Sequence, residues 1–193
     1  DQQNFVMTAS IGLTMSAAGP ALSDDLIRQA DLAMHEVKLN GGNGAQAYNL
    51  DMYQRVQQRV LLEQDLKEAL LLRQFSISFQ PQMTIATGAL YGFEALIRWR
   101  HPVRGMVPPD EFIPVLEQSR QIVPLGYWII EQCMQQCLAL LHSGWHQFRI
   151  AINLSAEQFV DPELIPTLKR LLDKYELQGS YFELELTERT LVQ

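Results

Sequence analysis

Apolar and polar positions alternate from Phe5 to Thr14, closing in Ser-Ile-Gly-Leu-Thr, and this period of two predicts a strand. Ala17-Ala18-Gly19-Pro20 interrupts it. Ser23 then reads as an N-cap, with Asp24 and Asp25 in a first turn where acidic groups suit the helix dipole. Leu26, Ala30, Ala33, Met34 and Val37 supply the helical stripe, Asn40-Gly41-Gly42 stops it, and Ala45 to Tyr48 predicts a short strand. The segment reads as strand, helix, turn, strand, the tail of an α/β domain. A second helical pattern runs from Asp51 to Arg73: Met52, Val56 and Val60 recur at spacing four, and Leu62, Leu66, Ala69 and Leu70 continue on a shifted face. Glu63 and Lys67 add an i,i+4 pair. No glycine- or proline-rich linker follows, so the joint is expected to be stiff.

From Phe75 onward strands alternate with helices. Phe75 to Gln80 and Ala89 to Trp99 predict strands joined by a hairpin-like turn at Ala86-Thr87-Gly88. Pro109 and Asp110 open one helix, and Pro124 opens a longer one to about His142. A strand over 148–154, a helix over 162–175 and a strand over 181–186 complete the pattern. Strands separated by helices of this length imply βαβ units and a parallel sheet or barrel.

Alternation assigns faces to three of these strands. Glu94, Leu96 and Arg98 share one face of theirs, opposite Phe93, Ala95, Ile97 and Trp99. Ala151, Asn153 and Ser155 oppose Ile150, Ile152 and Leu154, and Glu183, Glu185 and Thr187 oppose Phe182, Leu184 and Leu186. With helices packed on the apolar faces, the polar ones line a barrel lumen. Carboxylates placed there without partners are costly, and a hard cation such as Mg²⁺ or Mn²⁺ takes oxygen ligands of this kind. Arg98, on the face of Glu94, offers a fork of donors to a phosphate. Metal, arginine and oxygen ligands together suggest phosphoester chemistry. The competing reading makes each Glu a solvent-facing strand residue and Asn153 a helix cap. Glu183 is taken as a structural residue of the barrel floor, paired with an arginine. His101, His142 and His146 have no ligand spacing and read as surface or loop residues.

Composition narrows the partners. Across 193 residues, 47% are hydrophobic and 19% charged, as in ordinary globular proteins. A net charge of −7 argues against a nucleic-acid polymer as partner, yet permits a small anionic ligand where a metal or arginine focuses the field. No apolar run is long enough to span a bilayer, and no secretory leader opens the chain. Cys133 and Cys137 sit four apart in a helical pattern and read as buried thiols in a reducing, cytoplasmic compartment.

Several ordered motifs bring a family into view. Gln80-Pro81, Gly92-Phe93-Glu94-Ala95-Leu96-Ile97-Arg98-Trp99, His101-Pro102, Phe112-Ile113-Pro114 and Leu125-Gly126-Tyr127-Trp128 are followed by Asn153-Leu154-Ser155-Ala156-Glu157-Gln158-Phe159 and Glu183-Leu184-Glu185-Leu186-Thr187-Glu188. The series resembles the opening of an EAL domain. That resemblance implies a modified TIM-like (β/α)₈ barrel hydrolysing cyclic-di-GMP to pGpG with two metal ions. Carried over position by position, it implies Glu94, Asn153 and Glu185 as metal ligands. Glu188 matches the glutamate that steadies the following loop and links homodimerisation to activity. Gln80, Leu96, Arg98 and Pro114 match substrate contacts.

Residues 1–49 are similar to the end of a GGDEF domain through Ala9-Ser10-Ile11-Gly12, Ala30-Asp31-Leu32-Ala33-Met34, Lys38 and Asn43. Gly42 stands where that family often has a triphosphate-binding arginine, so a degenerate, regulatory domain is expected. The expected organisation is thus a GGDEF remnant over 1–49, a connecting helix over 50–73 and the first part of the barrel over 74–193. The chain starts without Met in a strand pattern and stops just after another, so both ends read as cuts. An adjacent aspartate pair and a lysine are expected after Gln193, and these residues alone are expected to be inactive. The alternative is an EAL-type receptor that binds cyclic-di-GMP without hydrolysing it.

Overall fold

Two short strands around one helix open the computed structural model, which describes residues 7–16, 23–39 and 41–186. The chain divides into two units, Asp1–Leu61 and Leu62–Gln193. In the first, β1 (Ser10–Leu13) and β2 (Gly44–Ala47) pair in parallel, linked by α1 (Ser23–Leu39). Ser23, expected as the cap, is the first helical residue, with Asp24 and Asp25 in the first turn. Gly12 is required where β1 meets α1, because a Cβ there would lie 1.8 Å from the carbonyl oxygen of Ala30. Ala33 and Val37 form the buried stripe of α1. The next helix, α2 (Leu50–Leu71), starts where Asn49 Oδ1 accepts from Met52 N–H at 3.0 Å. The division between units falls inside α2.

The second unit is a mixed α/β fold. Its sheet runs β3 (Phe75–Met83), β4 (Leu90–His101), β6 (Ile150–Leu154), β7 (Phe182–Leu186), with β5 (Gly105–Val107) paired to β4. The β3–β4 pair is the expected antiparallel hairpin, and β4, β6 and β7 are mutually parallel. Between them lie α3 (Pro109–Gln118), α4 (Ile122–His142), α5 (Ala156–Phe159) and α6 (Leu164–Tyr175). Pro109 fits the first turn of α3, where its missing N–H has no helical partner.

One sheet face is buried under these helices. Ala95, Ile150, Ile152 and Leu154 pack with Ile130, Cys133, Met134 and Cys137 of α4 and Leu164 and Leu171 of α6. A second cluster gathers Phe75, Trp99 and Phe112 with Leu62, Leu66 and Ala69 of α2. Trp99 is fully buried and its indole N–H donates to Gln74 Oε1 at 3.1 Å. Each large apolar side chain so buried contributes about 1.5–3 kcal/mol. Burying these residues turns their strand neighbours outward: Glu94, Leu96 and Arg98 are half-buried, and Asn153 and Glu185 are exposed.

Candidate functional site

The strand register decides which polar residues meet. Gln80 on β3 is opposite Glu94 on β4, and Glu94 is aligned with Ala151 on β6. Further along, Asn153 on β6 is aligned with Glu185 on β7. The carboxamide of Asn153 reaches back to β4, donating Nδ2–H to Glu94 Oε1 at 2.8 Å. Asn153 therefore does not cap a helix. That role falls to Ser155, whose hydroxyl accepts from Gln158 N–H while its own N–H donates to Gln158 Oε1. Helix α5 thus begins three residues after Asn153, with Ser155 as its cap, and anchors the end of β6.

The donor set is all oxygen: two carboxylates and the carbonyl of one carboxamide whose N–H is already engaged by Glu94. Among the described residues no group of three or more His, Cys, Asp or Glu side chains is placed to hold a metal ion. A cation held here would take Asn153 Oδ1 as a ligand, and hard Mg²⁺ or Mn²⁺ fits such a set better than zinc. Arg98 shares the face of Glu94, and among the described residues its guanidinium makes one hydrogen bond, to Ile97 O at 3.1 Å. Leu96 stands opposite Ser78. Pro114 lies off the sheet, inside α3. Glu188, together with Thr187, lies outside the described residues.

The EAL domain model of protein families matches residues 63–193. The chain belongs to the EAL-domain family. Among curated relatives of this EAL domain, it is 34% identical over 184 residues to the bifunctional diguanylate cyclase/cyclic di-GMP phosphodiesterase MucR of Pseudomonas aeruginosa, covering 95% of this chain and 27% of that protein. It is also 34% identical over 186 residues to the cyclic di-GMP phosphodiesterase PdeR of Escherichia coli, covering 96% and 28%. Among solved structures, the MucR phosphodiesterase in complex with c-di-GMP superimposes with a TM-score of 0.66 at 35% identity, covering 69% of this chain and 54% of that one. The chain therefore spans about a quarter of the length of these curated relatives.

At the other ends of the same strands, the EAL domain has a second polar cluster. Glu183 accepts from Tyr91 Oη–H at 2.8 Å and ion-pairs with Arg149. The Arg149 guanidinium, then the Tyr91 hydroxyl, holds the Glu183 carboxyl below the usual carboxylate range. The arginine partner expected for Glu183 is thus Arg149, and Tyr91 was not foreseen. A hollow lined by Tyr91, Phe148, Arg149 and Tyr181 opens beside this cluster, at the N-terminal ends of strands whose C-terminal ends carry Asn153 and Glu185. His142 and His146 are exposed. His101, expected as a surface or loop residue, is the last residue of β4 and is turned inward, its side chain 11% exposed with Nε2 3.3 Å from Asp65. Its Nδ1 accepts from the N–H groups of Val103 and Arg104, a turn geometry that spacing alone does not reveal. Among the described residues no helix is long and apolar enough to cross a membrane.

Proposed function

We propose that the protein carrying this chain is a cyclic-di-GMP phosphodiesterase, hydrolysing cyclic-di-GMP to linear pGpG. The observation that carries the reading is the Asn153–Glu94 hydrogen bond with Glu185 aligned on the neighbouring strand. It gathers oxygen donors from three strands at one sheet face. Glu94, Asn153 and Glu185 hold a divalent cation, Mg²⁺ or Mn²⁺. When bound, such ions supply an activated water and neutralise phosphate charge. Arg98 offers N–H donors to a phosphate of the substrate, Gln80 contacts it from β3, and Leu96 and Pro114 supply apolar surface. Glu188 steadies the loop after β7 and links a homodimer to the site.

The relatives' names support the substrate class, since MucR and PdeR are named for cyclic di-GMP phosphodiesterase activity. Residues 1–49 serve as the end of a degenerate GGDEF domain with a regulatory role in a cytoplasmic protein. In support, the matches to full-length relatives run through this segment, covering 95% and 96% of the chain.

The test is turnover of cyclic-di-GMP by the intact protein with Mg²⁺, compared with its Glu94→Ala variant. The expected loss exceeds about 100-fold, more than removal of a supporting residue around a metal usually costs. Equal turnover in the two proteins would remove Glu94 from the site. Tight binding of cyclic-di-GMP without turnover by the parent would make the protein a receptor.

A further inference from the structure

The face carrying Glu94, Asn153 and Glu185 is tied together a second time, at the opposite ends of its strands. The register shift between Gln82 and Met83 pairs Gln82 with Gly92 and Met83 with Leu90, leaving Tyr91 as an extra residue in β4. A bulge of this kind bends its strand and re-aims a side chain. Strict alternation would put Tyr91 with Phe93 on the helix side; instead its hydroxyl reaches past β6 to Glu183 Oε1 on β7, at 2.8 Å. Arg149, just before β6, ion-pairs with the same oxygen. It also donates to Tyr91 Oη at 3.4 Å and lies 5.9 Å from the Tyr91 ring centroid. One carboxylate oxygen of β7 joins β4 and the residue that leads into β6.

The seam crossed here is the shorter of the two parallel ones. Three register pairs join β4 to β6, from Phe93–Ile150 to Ala95–Ile152, against five between β6 and β7. The Tyr91–Arg149–Glu183 cluster closes one end of that seam, and the Asn153–Glu94 hydrogen bond closes the other. Sliding β4 along β6 by one residue would break both. Glu183 and Glu185 share a strand face about 7 Å apart, so a displacement at one end is passed directly to the other.

We propose that Tyr91, Arg149 and Glu183 are positioning residues, a three-strand clamp that fixes the spacing of Glu94, Asn153 and Glu185. The importance of that spacing for a cation rests on the function proposed above; the clamp itself rests on the contacts. Arg149 and Glu183 keep 50% and 32% of their side-chain surface exposed. Pairs so exposed add little to global stability, so the clamp acts on local geometry.

The Asn153 carboxamide is the reporter, because its hydrogen bond to Glu94 sets its NMR signal independently of any ion. In the ¹⁵N-labelled chain, Tyr91→Phe and Glu183→Ala each move that signal toward the position it takes in Glu94→Ala. Glu183→Gln, which keeps an acceptor for Tyr91, moves it less. Mn²⁺ affinity, measured by calorimetry, weakens on the order of 10-fold in Glu183→Ala. An Asn153 signal unmoved in Tyr91→Phe and Glu183→Ala overturns the clamp, and Tyr91→Phe, which keeps the ring, decides alone if Glu183→Ala does not fold. Unchanged Mn²⁺ affinity in shifted variants would sever the clamp from the cation site. A shifted signal with no Mn²⁺ binding by the parent would overturn the cation reading and leave the clamp standing.

Discussion

Adding one methyl group at Gly92 should unseat β6 from β4. The new Cβ would lie 2.4 Å from the Arg149 carbonyl oxygen and 3.2 Å from its carbonyl carbon. Carbon contacts settle at about 3.5–4.0 Å, so the two backbones must part by roughly 1 Å. At that separation the hydrogen bond from Phe93 N–H to Arg149 O, now 2.8 Å, is lost. Overpacking of this kind costs about 1–3 kcal/mol, and the lost bond about 1 kcal/mol more. Alanine offsets about 0.4–1 kcal/mol by restricting the unfolded chain. The balance is a destabilisation of roughly 1–3.5 kcal/mol. Urea titration reads it as a lower midpoint at unchanged slope. Gly179→Ala is the control: its Cβ would make an ordinary 3.8 Å contact with Leu172, so it should stay within about 0.5 kcal/mol of the parent. If Gly92→Ala matches that control, the close approach does not constrain β4 and the reasoning fails.

Two further expectations concern the elements that flank this seam. Gln158→Ala leaves the buried Ser155 N–H without its acceptor and should cost about 1–3 kcal/mol in a denaturation experiment, whereas Gln158→Glu, which can rebuild the capping box, should cost less. Burial pushes the Cys133 thiol from its usual 9.0 up to about 12, so an aromatic disulfide reagent at about pH 8 should leave it unlabelled until urea is added. The sign for stability follows, because between those two values the native state holds a proton that the unfolded state has released. Stability should therefore fall as pH rises from 9.0 toward about 12, and a Cys133→Ala/Cys137→Ala chain that declines equally in this range would show another group to be responsible.

Strand faces were the most legible part of the sequence, because burial acts on every second residue. Ala95 and Trp99 are buried on β4 and Ile150, Ile152 and Leu154 on β6, as the alternation requires, whereas Ala151 on the opposite face is buried too and Leu184 of β7 is 40% exposed. The β3–β4 hairpin was equally plain from its turn. What escaped were features set by register or by distant partners. β5 is three residues long with only Val107 buried, too short for a period to show. The segment expected as one helix over 162–175 is α6 from Leu164, preceded by the separate α5, although Ser155 and Gln158 already had capping-box spacing. The bulge at Tyr91 arises from how β3 meets β4 and has no local signature. Glu183 could be assigned an arginine from its place on the strand, but the tyrosine reaching it across an intervening strand could not.

Asn153 has a further consequence for the order in which this protein assembles. Because this member of the set is an amide, it binds Glu94 through an N–H rather than repelling it. An aspartate there would crowd like charges on one sheet face and would need a proton or an ion to settle them. With the amide, the sheet can close before any divalent ion arrives. On the function proposed above, ion supply would then govern when the protein acts without governing whether it folds, and a chain made in metal-poor conditions would wait intact.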